Sequence, residues 1–310
     1  MEKIILDCDP GHDDAVAMLL AYANPNIDLL GVTTVAGNQT IEKVTHNALA
    51  VAEILNMYNV PIFKGSPQPL VREIEVSEEI HGESGLEGAE LPIPSQDIQE
   101  KHAVDFIIET VMANEPNTIT LVPTGSLTNI ALAVKKEPKI IERVKEIVLM
   151  GGGFNTGNWS PVAEFNIAVD PEAAHIVFNQ EWELTMVGLD LTHQALATDD
   201  VFENINNMGT KTSSFFVDLL KFFQKAYKEN QDFVSPPVHD PCTIAYLIDP
   251  TIVTTKKAPI DIELNGSLTV GMTVVDFRQP IPEDCNTHVA VKLDHSKFWD
   301  LIYDAIKIIG

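Results

Sequence analysis

Residues 4–14 have the sequence Ile4-Ile5-Leu6-Asp7-Cys8-Asp9-Pro10-Gly11-His12-Asp13-Asp14, in which an apolar run meets a Pro-Gly turn and four acidic residues. The run from Ile4 to Asp9 predicts a β-strand. The apolar spacing after the turn predicts a helix from Asp13 to Asn24, which closes before Pro25. A strand that leads through a tight turn into a helix is the opening unit of an α/β fold.

The same alternation continues through about residue 190, and it predicts a parallel sheet with helices on both faces. Further strands are predicted at 27–36, 60–63, 118–122, 146–150 and 184–188, and helices at 40–57, 101–113, 128–136 and 171–179. Beyond residue 195 the chain is mostly helical to 249, with strands near 259–264, 273–277 and 288–293 and a closing helix from about 295. We predict one doubly wound α/β domain with a mixed, mostly parallel central sheet. Its topology is Rossmann-like, without a dinucleotide motif, because Gly151-Gly152-Gly153 lacks the GxGxxG spacing.

Composition narrows the possible partners. The chain has 45 acidic and 20 basic residues, a net charge of -25, which disfavours binding to nucleic-acid phosphates. No apolar run approaches the roughly 20 residues that span a bilayer, and the start has no signal-peptide pattern. The three cysteines form no CxxC pair and suggest neither disulfides nor a zinc site. The expectation is a soluble, cytoplasmic protein with no membrane or nucleic-acid partner.

The acidic turn predicts a divalent-metal site. Asp7, Asp9, Asp13 and Asp14 lie where a strand ends and a helix begins, the edge at which open α/β sheets bind ligands. One aspartate here would be read as a helix cap. Four unpaired carboxylates repel one another and need a cation, and all-oxygen ligation favours calcium or magnesium over zinc.

Other polar residues follow later strands and are weaker signals. Asn38, Thr124 and Met150 would reach the same sheet edge, although turn chemistry explains their glycine neighbours equally well. Polar and aromatic side chains between residues 158 and 166 suggest a pocket for a hydroxylated ligand, and a structural loop is the competing interpretation. His81 lies in a long loop of the kind that is usually functional or disordered. His239-Asp240 precedes a helix and Tyr227 lies on another; taken alone, each is more simply structural.

Taken in order, these segments resemble the signature of the inosine-uridine preferring nucleoside hydrolases, over nearly the whole chain. The resemblance is most specific in residues 5–21, with the acidic turn at their centre. It continues through Val35-Ala36-Gly37-Asn38-Gln39-Thr40, His81-Gly82-Glu83-Ser84-Gly85, Leu121-Val122-Pro123-Thr124-Gly125, Val148-Leu149-Met150-Gly151-Gly152, Ala163-Glu164-Phe165-Asn166 and Val238-His239-Asp240-Pro241-Cys242.

The resemblance implies a hydrolase that cleaves the N-glycosidic bond of ribonucleosides, with one Ca²⁺ per subunit. Asp9, Asp14 and Asp240 would bind the ion through carboxylates, and Thr124 through its main-chain oxygen. Asp9 would also be the general base, and His239 would donate a proton to the leaving base. Three carboxylates around one Ca²⁺, together with Asp13, would leave a surplus of negative charge in the site. That charge would favour a positively charged, oxocarbenium-like transition state. Asp7 would support the site from behind.

The resemblance also assigns the substrate contacts. Asp13 and Asn38 would bind the ribose 2′ hydroxyl, Asn158 and Asp240 the 3′ side, and Glu164 and Asn166 the 5′ hydroxyl. Met150 and Phe165 would pack against the sugar, while His81, Tyr227 and His239 would face the base. Residues 1–310 would form a single domain with a helical, base-facing segment at about 198–248 inserted toward the active site. The subunits are expected to form a homo-oligomer, either a dimer or a tetramer, acting in nucleoside salvage.

Three alternatives remain open at this point. Tyr227 to Phe233 match the family less closely, so a pyrimidine preference competes with broad purine and pyrimidine use. Asp7-Cys8-Asp9 also fits the DxD start of magnesium phosphatases of the haloacid dehalogenase type, although Gly11 stands where they carry Thr or Val. A sugar-binding module without catalysis would need the hydroxyl-binding residues alone. No function is drawn from His12.

Overall fold

A computed structural model describes all residues, 1–310, and contains ten strands and twelve α-helices. The strands are β1 (Glu2–Cys8), β2 (Ile27–Thr34), β3 (Ile62–Lys64), β4 (Ile119–Pro123), β5 (Val144–Met150), β6 (Leu184–Val187), β7 (Val253–Lys257), β8 (Ile260–Ile262), β9 (Thr273–Val275) and β10 (Thr287–Leu293). The helices are α1 (His12–Ala23), α2 (Ile41–Ile54), α3 (Glu78–His81), α4 (Ala103–Ala113), α5 (Thr128–Lys136), α6 (Phe165–Val169), α7 (Pro171–Phe178), α8 (Leu189–Thr192), α9 (Asp199–Asn206), α10 (Lys211–Asn230), α11 (Pro241–Ile248) and α12 (His295–Ile309).

Eight strands form the central sheet, in the order β3-β2-β1-β4-β5-β6-β10-β7. All neighbouring pairs are parallel except β10 and β7. From β1 the chain winds first toward β3 and then crosses back to β4, so the strand order reverses between β1 and β4. A reversal of this kind opens a crevice at the carboxyl ends of the two strands, where ligands bind.

Strand β1 is buried on both faces because helices cover the sheet on each side. Ile4, Leu6 and Cys8 point into the core beneath α1, and Ile5 points into the core on the opposite face. Strand periodicity puts Asp7 on the same face as Ile5, where its Oδ1 accepts hydrogen bonds from Thr33 and Asn129. The apolar strand therefore fixes the direction from which the acidic turn leaves the sheet.

The doubly wound α/β prediction is confirmed, with differences in detail. Strand β7 was not predicted, and β8 and β9 form a separate two-stranded sheet. Asp170 caps α7, accepting a hydrogen bond from the Ala173 N–H at 3.0 Å. Thr40 occupies the cap position of α2, although its side chain makes no capping hydrogen bond. None of the helices has the length and apolar character needed to cross a membrane.

Candidate active site

The carboxyl ends of β1, β2, β4 and β5 surround a cavity of about 320 Å³. Twelve of the fourteen predicted site residues line it: Asp13, Asn38, His81, Thr124, Met150, Asn158, Glu164, Phe165, Asn166, Tyr227, His239 and Asp240. The other two, Asp9 and Asp14, are fully buried at the base of the same turn. The sheet therefore gathers into one place residues that the sequence spreads over more than 200 positions.

Asp9 lies in a close-fitting nest made by two loops. Its Oδ2 accepts a 2.6 Å hydrogen bond from the Asn38 N–H, and Asn38 Nδ2 donates to the Asp9 main-chain oxygen at 3.1 Å. A Cβ at Gly37 would lie 2.1 Å from Asp9 Oδ2, and one at Gly125 would lie 2.7 Å from Oδ1. Asp9 Oδ1 is buried and has no hydrogen-bond partner. Such an orphaned carboxylate oxygen requires a proton, a water molecule or a cation.

Three further aspartates form a cluster beside it. Ligand oxygens of Asp13, Asp14 and Asp240 all lie within 4.8 Å of one another, and all three side chains are buried. Asp14 is held by the Gly11 N–H at 3.0 Å and the Thr124 hydroxyl at 2.8 Å, and Asp13 by the His239 N–H at 3.2 Å. The carboxylate ligands predicted from the sequence are Asp9, Asp14 and Asp240, whereas this cluster contains Asp13 in place of Asp9.

Burial perturbs the protonation of these carboxylates. The pKa of Asp14 is raised to about 7 and that of Asp13 to about 6, with burial as the largest cause in each case and hydrogen bonds to neighbouring groups acting in the opposite direction. The pKa values of Asp9 and Asp240 are raised well above the ordinary range, by burial first and by the neighbouring aspartates second. No lysine or arginine lines the cavity. Buried, mutually repelling carboxylates without a basic partner fit an oxygen-binding divalent cation.

Amide and aromatic groups form another part of the cavity wall. Asn166 Nδ2 donates to the main-chain oxygens of Thr124 at 2.8 Å and Met150 at 3.2 Å. Asn158 Oδ1 accepts from the Phe165 N–H at 2.9 Å, which leaves its amide nitrogen free for a ligand. A wall of this composition suits a hydroxylated ring.

Glu164 caps helix α6 from inside this wall. Its carboxylate accepts hydrogen bonds from the Gly152, Asn166 and Ile167 N–H groups, at 2.9, 2.9 and 3.2 Å. Burial raises its pKa to about 7. The capping bonds fix this acidic side chain in position at the cavity wall.

Three polar groups next to the aspartates, Thr192, His239 and Tyr227, form a hydrogen-bonded chain. His239 Nδ1 is 2.7 Å from the Thr192 hydroxyl, and His239 Nε2 is 2.7 Å from the Tyr227 hydroxyl. The sequence suggested that His239 would have a pKa suited to giving a proton directly. Burial instead lowers its pKa well below the ordinary range, so the ring is neutral. A neutral imidazole between two hydroxyls can still pass a proton along the chain.

Several lining residues were not predicted. Phe223 and Asn230 lie on α10 with Tyr227, and Gln231 caps that helix; Ser77, Glu79 and Ile80 come from the start of α3, and Trp159 comes from the loop between β5 and α6. The spacing of 223, 227, 230 and 231 is that of a single helical face, and this was the available signal for the α10 group. Thr192 carried no sequence signal.

Fold and site together define an α/β protein with an acidic, cation-binding cavity for a polar small molecule, and comparison with known proteins is consistent with that class. The family model for the inosine-uridine preferring nucleoside hydrolases matches residues 4–300. An inosine-uridine preferring nucleoside hydrolase of Leishmania major is 57% identical over 309 residues, covering 99% of this chain and 98% of the relative. A pyrimidine-specific ribonucleoside hydrolase of Escherichia coli is 44% identical, covering 98% of this chain and 97% of its own.

The structural comparison agrees. The solved structure of a purine-preferring ribonucleoside hydrolase from Gardnerella vaginalis superposes with a TM-score of 0.92, at 35% identity, over 99% of both chains. The chain therefore belongs to the inosine-uridine preferring nucleoside hydrolase family, and it is an enzyme that acts on N-glycosyl compounds. The substrates of such enzymes are small-molecule ribonucleosides.

Proposed function

We propose that this enzyme hydrolyses ribonucleosides to free base and ribose with the help of one Ca²⁺ ion. The observation that carries the proposal is the buried cluster of Asp13, Asp14 and Asp240 at the floor of a cavity without basic side chains. Asp14, Asp240, Asp9 and the Thr124 main-chain oxygen would hold the ion. When bound, calcium would lower the pKa of a water molecule and orient it toward the sugar.

Asp9 is the proposed general base. Its Oδ2 is fixed by the Asn38 N–H, while Oδ1 is free of protein partners, so one oxygen is held and the other can accept a proton from water. Cleavage of the N-glycosidic bond builds positive charge on the ribose, and the surrounding carboxylates stabilise that charge more in the transition state than in the neutral substrate.

The proposed proton source for the departing base is His239, acting through the Tyr227 hydroxyl. As the Tyr227 hydroxyl gives its proton to the base, His239 Nε2 gives a proton to Tyr227 and His239 Nδ1 takes one from the Thr192 hydroxyl, so the imidazole stays neutral; Thr192 then recovers a proton from water. On the sugar side, Asp13 and Asn38 would bind the 2′ hydroxyl, Asn158 and Asp240 the 3′ side, and Glu164 and Asn166 the 5′ side.

We propose broad use of purine and pyrimidine nucleosides, with inosine and uridine preferred. The support is the 57% identity to a relative described by that preference. A pyrimidine preference is the second candidate, favoured by the 44% identity to a pyrimidine-specific relative. A phosphatase is disfavoured because the cavity offers no lysine or arginine to a phosphate. A cytoplasmic homo-oligomer remains part of the proposal.

The Asp9→Asn variant tests the proposal, with ribose release from uridine and inosine as the measurement. We expect turnover to fall by about 10²–10⁴-fold, the range typical of a lost general base, while the fold persists. Asp97→Asn makes the same chemical change at an exposed residue and should leave turnover unchanged. Unchanged turnover in Asp9→Asn would overturn its role as the base. Binding of ribose without turnover by the unaltered protein would instead indicate a sugar-binding module.

A further inference from the structure

His12 lies inside the acidic turn, yet no role described above uses it. Its side chain is fully buried, and its ring lies nearly parallel to those of Phe222 and Phe223, with centroids 5.3 and 5.0 Å away. Both ring nitrogens have a polar neighbour. The orientation of this imidazole is therefore fixed by packing and by hydrogen bonds together.

The contact with Glu87 determines which nitrogen of His12 carries the proton. His12 Nε2 is 2.8 Å from the Glu87 main-chain oxygen, and a carbonyl oxygen can only accept. In the neutral ring Nε2 must then be the N–H, and Nδ1 is left with a lone pair.

That lone pair faces His81. His12 Nδ1 and His81 Nδ1 are 3.2 Å apart, so a hydrogen bond between them requires the proton on His81 Nδ1. If the proton were on His81 Nε2 instead, the lone pairs of the two Nδ1 atoms would face each other. The only gain would be a 3.5 Å hydrogen bond from the His12 main-chain N–H to His81 Nδ1. A Cβ at Gly11 would lie 2.4 Å from His81 Nδ1, so glycine at this position permits the approach.

We propose that His12 is a positioning residue that determines specificity for the base: it holds His81 as the Nδ1–H tautomer, so that His81 Nε2 accepts a hydrogen bond from a ring N–H of the base. His81 lines the cavity, and its Nε2 has no hydrogen-bond partner in the protein. The matching donors are the N3–H of uracil and the N1–H of hypoxanthine, which adenine lacks. This inference rests on the proposed nucleoside hydrolysis and names the edge of the base that is read.

The tautomer is measured by ¹H–¹⁵N NMR of the calcium-loaded enzyme labelled at histidine, with the His81 signals assigned from a His81→Gln variant. We expect a protonated Nδ1 and an unprotonated Nε2. His12→Phe keeps the stacked ring but removes the acceptor, so it should lose this signature. His12→Asn offers Oδ1 near the position of Nδ1 and should retain it. His46→Phe, an exposed histidine on α2, is the control. A protonated Nε2 in the unaltered enzyme would overturn the proposal.

The consequence for specificity is measured by comparing kcat/KM for uridine and 3-methyluridine, and for inosine and 1-methylinosine. The methyl group removes the N–H, so the unaltered enzyme should prefer each parent by about tenfold or more, as expected when a buried acceptor loses its donor. The preference should collapse in His12→Phe and survive in His12→Asn.

An undiminished preference in folded His12→Phe would refute the inference. If His12→Phe does not fold, loss of the preference in His12→Asn, or a protonated Nε2 in the unaltered enzyme, would still refute it. Failure of the unaltered enzyme to hydrolyse any nucleoside would overturn the proposed function, and the NMR result would then decide the His12–His81 assignment separately.

Discussion

In the absence of calcium, the free energy of unfolding of the protein should fall as the pH rises from about 4 to about 7. Burial raises the pKa of Asp14 from 3.8 to about 7. A carboxyl whose pKa is higher in the folded than in the unfolded chain binds more protons when folded, so the free energy of unfolding falls as pH rises through that window. For Asp14 alone, the difference corresponds to about 4 kcal/mol.

Calcium should oppose this loss because it binds the ionised carboxylates. Its stabilising effect should therefore be small at pH 5 and large at pH 8. Thermal unfolding with EGTA and with saturating Ca²⁺ at both pH values is the assay. Without calcium we expect Tm to be lower at pH 8 than at pH 5 by on the order of 8 °C, and calcium should restore most of it at pH 8.

The Asp240→Asn variant is the internal comparison. The Asp240 side chain shares a hydrogen bond with Asp14 that an asparagine amide can still donate, and burial raises the pKa of Asp240 well above the ordinary range. The neutral amide should raise Tm at pH 8 without calcium and weaken the response to calcium. A calcium-free Tm that is unchanged or higher at pH 8, with an equal response to calcium at both pH values, would refute the reasoning about this cluster.

Three substitutions probe the catalytic roles. His239→Ala should slow inosine hydrolysis by about 10²-fold or more and uridine hydrolysis less, because hypoxanthine N7 can take a proton and uracil has no such site; equal losses in kcat would count against the proton-donor role. Glu164→Gln should lower the ratio of kcat/KM for uridine to kcat/KM for uridine 5′-monophosphate by about tenfold, because it removes a negative charge near the expected 5′ position. An unchanged ratio would place the phosphate elsewhere. Gly37→Ala, whose Cβ would lie 2.1 Å from Asp9 Oδ2, should displace the Asp9 carboxylate and lower kcat by about 10²-fold. Full activity with an unchanged fold would show that the close packing around Asp9 is not needed.

The sequence predicted the fold well where the signal was local and periodic. The apolar run of β1 was found within two residues of its predicted ends, and the helix after Pro10-Gly11 within one residue. Strand β7 was missed because four of the five residues in Val253–Lys257 are polar and the strand pairs antiparallel with β10 at the sheet edge, an arrangement that no local pattern encodes.

The residues of the site likewise fall into those that the sequence predicted and those that it did not. Residues in the acidic turn and at strand ends were predicted, because parallel strands bring their carboxyl ends to one edge. Phe223 and Thr192 were not, since the contact of Phe223 with Tyr227 depends on how α10 packs against other helices, and the contact of Thr192 with His239 depends on how α8 packs against β10. The protonation of His239 also could not be foreseen. Its unperturbed range suggested a titrating acid, whereas burial makes it neutral.

His12 shows what the sequence concealed. Its position inside the acidic turn suggested no role, and its contact with His81 spans 69 residues of chain. Only the folded structure shows that the two rings meet through their Nδ1 atoms.

Ribose release from uridine and inosine, measured with EGTA and after addition of Ca²⁺ or Mg²⁺, tests the central claim most directly. We predict that ribose and free base appear in equal amounts, that EGTA abolishes the reaction and that Ca²⁺ restores it. Adenosine, guanosine and cytidine, run in parallel, define the range of bases accepted. Absence of ribose release with calcium present, or full activity after exhaustive chelation, would contradict the assignment of this acidic cavity as a calcium-dependent nucleoside hydrolase site.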